Sequence, residues 1–251
     1  IDQIFQFNEN LSYHRGKHDI KVGADIRRNR FFIVNDFPSS PSFSFYGSYT
    51  GDSVADFLLG LFNFTDMGIG DTSANFRRTG WSFYAQDSYK VHRKLSLTFG
   101  LRYEYPAPFT EINDKMGWLD FSTWKFVTVK DSGRKSMFFP DRNNFGPRFG
   151  FAYTPFEKWV IRGGFGVYYD LLSGNETQFY GLLLPPISQI QSIVNTLPVA
   201  TYRVQDMYPA PEFAPSTSPN TAFPTDRTPY VYQYNLNLQH ELAGVLFELG
   251  Y

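Results

Sequence analysis

Residues 79–105 read TGWSFYAQDSYKVHRKLSLTFGLRYEY, and this stretch decides the fold. In its second half Leu95, Leu97, Phe99, Leu101, Tyr103 and Tyr105 alternate with Ser96, Thr98, Gly100, Arg102 and Glu104. Side chains on a strand point to opposite faces with period two, so the first set lines one face and the second set the other. In the first half Trp81, Phe83, Ala85, Tyr89 and Val91 share a face, with Asp87 as the exception. Val91-His92-Arg93-Lys94 supplies a short, mostly polar turn. A hairpin with one greasy face and one wet face fits two settings. It is half of a soluble antiparallel sheet, or a piece of a transmembrane barrel with lipid outside and water inside.

The same design recurs along the chain. Phe5, Phe7, Leu11 and Tyr13 alternate with Gln6, Asn8, Asn10 and Ser12. After the turn His14-Arg15-Gly16-Lys17, Ile20, Val22, Ala24 and Ile26 alternate with Asp19, Lys21, Gly23, Asp25 and Arg27. A third hairpin sets Phe149, Phe151 and Tyr153 against Arg148, Gly150, Ala152 and Thr154. It turns at residues 155–158 and returns with Trp159, Ile161, Phe165, Val167 and Tyr169 against Arg162, Gly164, Gly166 and Asp170. A fourth alternates Tyr230, Tyr232, Tyr234, Leu236 and Leu238 with Gln233, Asn235, Asn237, Gln239 and Glu241. It turns at Leu242-Ala243-Gly244 and continues with Val245, Phe247, Leu249 and Tyr251.

Between these hairpins the pattern loosens at residues 35–78, 106–147 and 171–229. In the first, Asp52 or Ser53 can cap about two turns of helix packed by Phe57 and Leu58, Asp56 suits its positive end, and Gly60 suits its stop. Residues 43–49 and 61–68 read as further short strands. In the second, residues 125–129 and 136–139 read as a small hairpin turning at Asp131-Ser132-Gly133. In the third, nine of the chain's 16 prolines fall between positions 185 and 229, which excludes a regular sheet, and residues 187–194 are the one helical candidate.

The short turns, near residues 14, 92, 156 and 243, all fall on one rim, because antiparallel neighbours alternate direction. The long connections fall on the other. Outer-membrane barrels sort their loops in this way, whereas loops this long are rare in compact soluble domains. Composition agrees: of 251 residues, 27 are Phe and 17 are Tyr, which suits aromatic girdles. Mean hydropathy is -0.33 and no apolar run is long enough for a membrane helix. A formal net charge of -1 favours no nucleic-acid partner, and the absence of Cys removes thiol chemistry. The expected fold is therefore all-β: about eight antiparallel transmembrane strands of a larger barrel over residues 1–251, open and curved in isolation, with the long loops on one rim and the Leu95, Leu97, Phe99 and Leu101 face exposed.

Several segments carry a family resemblance. WSFYAQDSYKV at 81–91 followed by LSLTFGLRYE at 95–104 resembles the barrel of TonB-dependent outer-membrane transporters, where a Y-x-Q-D-x-W/Y-K-V strand precedes an L-T-L-N-x-G-L-R-Y-E strand. NNFGPRFGFAY at 143–153 is similar to the N-N-F-x-P-R-x-G-F-A-Y strand of that family. ADFLLG at 55–60 is similar to a segment in the branch with an N-terminal carboxypeptidase-regulatory-like domain. The resemblance implies a barrel of about 22 strands around a plug. It also implies a bacterial outer-membrane location, contact with outer-membrane lipid, energy from the TonB complex through a plug domain that this stretch does not carry, and import of a small scarce ligand such as a glycan or siderophore. A passive porin or adhesin barrel, and a soluble carbohydrate-binding β domain, are the rival classes.

No catalytic constellation stands out, and the chain is expected to be no enzyme and to need no cofactor. His14 and His18 flank a turn, and with His92 and His240 they complete the histidines; solvated turn positions suit them better than metal ligation. Gly163-Gly164-Phe165-Gly166 sits in an alternating strand and reads as room for a neighbouring backbone rather than a phosphate loop. Asp87 reads as a satisfied residue on the lipid-side rim. Arg27, Arg102, Glu104, Arg148, Arg162 and Asp170 fall on inward faces, as a charge ladder that hydrates a lumen or as a ligand path. The Tyr, Trp and Phe of the long loops suit sugar stacking or capping of the barrel. Which residues touch a ligand is not encoded in these patterns.

Overall fold

The computed structural model describes residues 2–34, 41–71, 73–170, 187–207 and 227–251. In chain order its elements are β1 (Asp2–Arg15), β2 (His18–Val34), β3 (Ser42–Ser44), α1 (Ser53–Leu58), β4 (Phe64–Gly70), β5 (Ser73–His92), β6 (Leu95–Pro106), β7 (Thr110–Glu111), β8 (Gly117–Asp120), β9 (Lys125–Thr128), α2 (Val129–Ser132), β10 (Phe145–Tyr153), β11 (Trp159–Tyr169), β12 (Ser188–Val194), β13 (Tyr230–Leu242) and β14 (Val245–Gly250). Eight long strands form one antiparallel sheet in the order β1-β2-β5-β6-β10-β11-β13-β14. β1 and β14 stand at its two ends and do not pair with each other, so the sheet is open.

Register carries the alternation from strand to strand. Tyr13, Ile20, Asp87, Phe99, Phe149, Phe165 and Tyr234 are successive cross-strand partners. One position over, the row is Ser12, Lys21, Gln86, Gly100, Arg148, Gly166 and Gln233. A slip of one residue in any strand would break both rows, because it would exchange the faces. The apolar face is bare in the isolated chain: Phe99 is 49 % exposed, Leu101 48 % and Phe165 42 %. Leu95 and Leu97 are half-buried. The two-residue turns fit the strand twist. Ala243 and Gly244 both have positive φ, 50° and 78°, the combination that lets a hairpin close without splaying. A bulge between Lys90 and His92 puts His92 opposite Leu95. Val91 therefore occupies the bulge and does not extend the apolar face as the alternation alone suggests.

β2 and β5 run further than the sequence reading placed them. β5 starts at Ser73, not Thr79, and pairs continuously with β2 up to Val34. Beyond Arg28 the chemistry of the two faces inverts. Phe31, Ile33, Ala74 and Phe76 now point to the inner side, and Arg28, Arg30 and Arg77 to the outer side. The inner residues join a core with Phe109, Met116, Trp118, Val129, Met137 and Phe138, against which Ile187 also packs. Glu111 fastens this core to β5: its buried carboxylate accepts the N–H groups of Asn75 (3.0 Å), Asn113 (2.7 Å) and Lys115 (3.0 Å).

The external connections differ from expectation in three places. Residues 125–128 pair with β8, upstream, and residues 136–139 form no strand. The segment between them is the single helical turn α2, capped by the Thr128 side chain and ended by Gly133 at φ 69°, so it cannot serve as a hairpin turn. Residues 188–194 are strand, not helix: all seven pair with β4, which itself pairs with β3. That three-stranded sheet ties the first long connection to the third. α1 has its expected cap, with Asp52 Oδ1 accepting from Val54 N (2.8 Å) and Ala55 N (2.9 Å), and Gly60 follows it at φ 70°. Phe57 and Leu58 do not pack it; both are exposed, and Phe57 touches only the edge of Phe45 at 5.3 Å among the ring contacts. The helix is held by Asp56 instead, fully buried, which accepts from Thr50 N (3.0 Å), Thr50 Oγ1 (2.8 Å) and Tyr49 N (3.3 Å). Burial opposes ionisation of this carboxyl, yet these donors outweigh it and hold its pKa below the ordinary value. The proline-rich stretch around Pro211 and Pro224 lies outside the described residues.

Candidate functional site

The inner wall is polar because every second residue of the eight strands faces it. On β1 and β2 a relay of amides leads to a carboxylate. Tyr84 Oη donates to Asn10 Oδ1 (2.8 Å), Asn10 donates to Asn8, and Asn8 Nδ2 (3.2 Å) and Gln6 donate to Asp25. Beside it Arg102 Nε donates to Glu104 Oε1 at 2.8 Å, two residues along one strand face. Asp25, Arg27, Arg102 and Glu104, with Asn29 and Arg78 above them, line an open cleft on this wall. Arg78 also borders a second pocket directly toward the long loops, lined by Phe109, Phe138, Phe139, Asp141 and Arg227. Its guanidinium lies 4.4 Å from the centre of the Phe109 ring. Asp141 accepts from Thr228 N at 2.6 Å and so joins the second and third connections. In the loop core Arg134 lies over Trp118 (4.5 Å) and Phe139 (3.9 Å), and desolvation there lowers its pKa from the ordinary arginine value.

Of the inward residues singled out from sequence, Arg27, Arg102 and Glu104 come together in the cleft. Arg148 sits apart, over Tyr168 at 4.6 Å, with a buried Nε that has no hydrogen-bond partner among the described residues. Arg162 and Asp170 are exposed and join neither pocket. Asp87 is satisfied at one oxygen only: His18 Nδ1 lies 2.7 Å from Oδ2, and the same imidazole stacks on Tyr89 at 4.5 Å, whereas the buried Oδ1 has no hydrogen-bond partner among the described residues. His240 stacks on Trp159 at 4.0 Å, and His92 accepts from Lys94 N at 3.1 Å. Gly163 and Gly166 of β11 make room chiefly for rings, and Gly163 also for the backbone carbonyl of Asn235 on β13, 3.3 Å from where a Cβ would stand. A Cβ on Gly163 would meet the Phe151 ring at 2.5 Å, and one on Gly166 would meet Tyr168 at 2.7 Å. Aromatic rings covering strand glycines restore the packing that glycine lacks. Arg78, Phe109, Asp141 and Arg227 were not singled out. The signal for Arg78 was present, since Phe76, Arg78, Gly80, Ser82 and Tyr84 continue the inner parity upstream of Thr79.

An open antiparallel sheet with an exposed apolar face, a polar ladder on the other, short turns on one rim and folded loops on the other is the wall of an outer-membrane β-barrel. The family model described as outer membrane beta barrel domain matches residues 1–251, and the chain belongs to that family. Its location is the bacterial outer membrane. Among solved structures the chain is similar to a CymD monoaromatic hydrocarbon channel, at 9 % identity and a TM-score of 0.34, over 98 % of this chain and 58 % of that one. The chain thus spans a little over half the length of that channel. No curated protein matches it.

Proposed function

We propose that this chain is the barrel wall and external vestibule of a TonB-dependent receptor that imports a scarce hydrophilic ligand. The observation that carries the reading is the folded cover above the polar cleft. The first and third connections share the β3-β4-β12 sheet, the second builds a core on β2 and β5, and Arg78 borders both the vestibule pocket and the wall cleft. Such a cover suits capture at the surface followed by handover to the wall. The wall motifs at 81–104 and 143–153 support the same family. In this reading the plug and the TonB complex act on the wall from within, and the polar ladder gives the plug a hydrated surface to move against. A passive channel or adhesin is the rival, since a barrel wall of this kind serves either. Conductance of the intact protein in planar bilayers, together with ligand uptake by cells with and without TonB, separates them. A receptor is electrically silent at rest and its uptake stops without TonB. Steady open conductance with TonB-independent uptake would reject the proposal.

A further inference from the structure

The outer face of β2 and β5 changes character within three residues. Phe7, Ile26 and Trp81 form an apolar row. The next outward row is Phe5, Arg28 and Thr79, and the next is Gln3, Arg30 and Arg77. Three guanidinium groups therefore stand on the lipid side of the sheet, on the rim of the long loops, directly beyond the apolar belt. Arg28 and Arg77 are exposed and Arg30 is half-buried. None of the ion pairs among the described residues involves them. Arg30 and Arg77 are direct cross-strand partners on one face, an arrangement in which like charges repel. Arg30 leans on the Phe5 ring at 5.5 Å, and its Nε is buried with no hydrogen-bond partner among the described residues. Gln3, Arg30, Phe32, Asn75 and Arg77 line a shallow groove at this place.

We propose that this groove binds the phosphates of outer-leaflet lipid headgroups, the lipid A phosphates of the lipopolysaccharide leaflet. Three features choose that occupant. The patch is continuous with the lipid-facing belt, so an acyl chain against Trp81 and Ile26 places its headgroup at Arg28 and Arg30. It lies on the long-loop rim, which in outer-membrane barrels is the external one. A phosphate between Arg30 and Arg77 turns a repulsive pair into two charge-assisted contacts, and guanidinium geometry suits phosphate oxygens. Phe32 and Val34, outward beyond the arginines and exposed, then lie against the headgroup sugars rather than the acyl chains.

The test uses the intact protein in phosphatidylcholine vesicles doped with diphosphorylated lipid A, with dephosphorylated lipid A, or with neither. Diphosphorylated lipid A is expected to raise the melting temperature of the wild type and to be retained through purification; the dephosphorylated lipid is expected to do neither. Arg30→Gln/Arg77→Gln should retain lipid A roughly thirtyfold less, from about 1 kcal/mol per arginine at an anionic surface. Without lipid A the same variant should melt no lower than the wild type, because the repulsion is gone. Arg15→Gln, outward on the opposite rim, should behave as wild type. Arg77→Gln alone carries the test if the double variant does not fold. Equal retention by variant and wild type, or an equal shift from dephosphorylated lipid A, overturns the proposal. So does full reproduction of the shift by free pyrophosphate, which would make the groove a soluble-anion site.

Discussion

The lower and upper parts of β2 and β5 are the same two strands in the same register, yet they obey opposite rules. Between His18 and Ile26 the outward residues of β2 are the apolar Ile20, Val22, Ala24 and Ile26, the first two exposed and the last two half-buried, and the inward ones are polar or Gly. From Arg28 to Val34 the inward Phe31 and Ile33 pack, partly buried, with the buried Ala74 and Phe76 of β5, and the outward residues of the two strands include Arg28, Arg30 and Arg77. Nothing in the backbone changes at the boundary. What changes is the medium on each side. Below it the outer face meets acyl chains and the inner face meets water; above it the inner face meets a folded loop core and the outer face meets headgroups and water. Six residues of extension reach about 20 Å beyond the belt, enough to carry a small core of their own. The boundary near Arg28 is thus a reading of where the hydrocarbon ends.

The comparison is broken most severely by emptying the upper core. Phe76 is fully buried against Phe31 and Phe109, with ring centres 5.1 Å and 6.3 Å away. Phe76→Ala should cost the external region about 3–5 kcal/mol, the usual loss for a buried Phe with a residual cavity. Phe83→Ala, seven residues along the same strand but outward, should cost less, because acyl chains close over the gap and no cavity remains. Hydrogen exchange in β8 and β9 should rise in the first variant, while the heat-modifiable gel mobility of the barrel stays unchanged. Equal exchange in both variants would mean that the upper core does not fold as a separate unit.

The next largest effect sharpens the lower half. Phe165→Arg or Leu97→Arg puts a charge on the lipid side and should impair assembly by roughly 2–4 kcal/mol if the site is near the bilayer midplane. Thr98→Arg points inward to the polar wall and should be much milder. Folding yield into vesicles across a urea series measures both. The same loss in Thr98→Arg would contradict the assignment of the faces.

The lower half was legible from sequence because lipid imposes a two-residue period on every strand that crosses it. Leu95 to Tyr105 needed no tertiary knowledge. The upper half was misread for the same reason. The period continues through Ala74, Phe76 and Arg78, but its apolar phase moves to the other face, so the run looked broken at Thr79. The loop strands failed differently. Residues 188–194 pair with β4, more than a hundred positions earlier, and no local signal announces such a partner. Lys125 to Thr128 chose β8 rather than residues 136–139, because Gly133 ends a helical turn and cannot close the hairpin. Inner-wall residues could be named by parity, but which of them meet depends on shear across the sheet. Arg27 and Arg102 join a cleft; Arg162 does not.

A smaller effect tests how independent the loop elements are. Asp52→Ala removes the side-chain acceptor for Val54 and Ala55 N–H and should cost about 1 kcal/mol, within the usual 0.5–2 for an N-cap. Because α1 has no apolar packing of note, this cap and Asp56 are its main supports. Faster exchange of the Val54 and Ala55 amides, with β12 and β4 unaffected, is the expected result. Loss of protection in β4 as well would show that α1 and the loop sheet open together.

The smallest effect is the acid response of the junction where the first connection enters β5. Asp71 Oδ2 lies 2.6 Å from Lys115 Nζ, and its other oxygen accepts from Ser73 Oγ (2.6 Å) and Ser73 N (3.0 Å). The Lys115 hydrogen bond first, then the two from Ser73, lower its pKa from 3.8 to about 2. A carboxyl depressed by folding contributes fully above its unfolded value. The contribution therefore holds above pH 3.8 and disappears as pH falls through about 2. More than half of the Asp71 side chain is exposed, so solvent screening keeps the effect small. Carboxyl carbon shifts followed by NMR from neutral pH downward should place the Asp71 midpoint near 2, and Lys115→Gln should move it back toward 3.8. The Ser73 amide should lose protection over that same interval in the wild type and at higher pH in the variant. The hydrophobic contacts of Phe76 carry no proton and should hold the rest of the upper core through this range. If the whole external region melted with Asp71, electrostatics at the junction would outweigh burial there, and the upper half of these strands would be held by charge rather than by its apolar core.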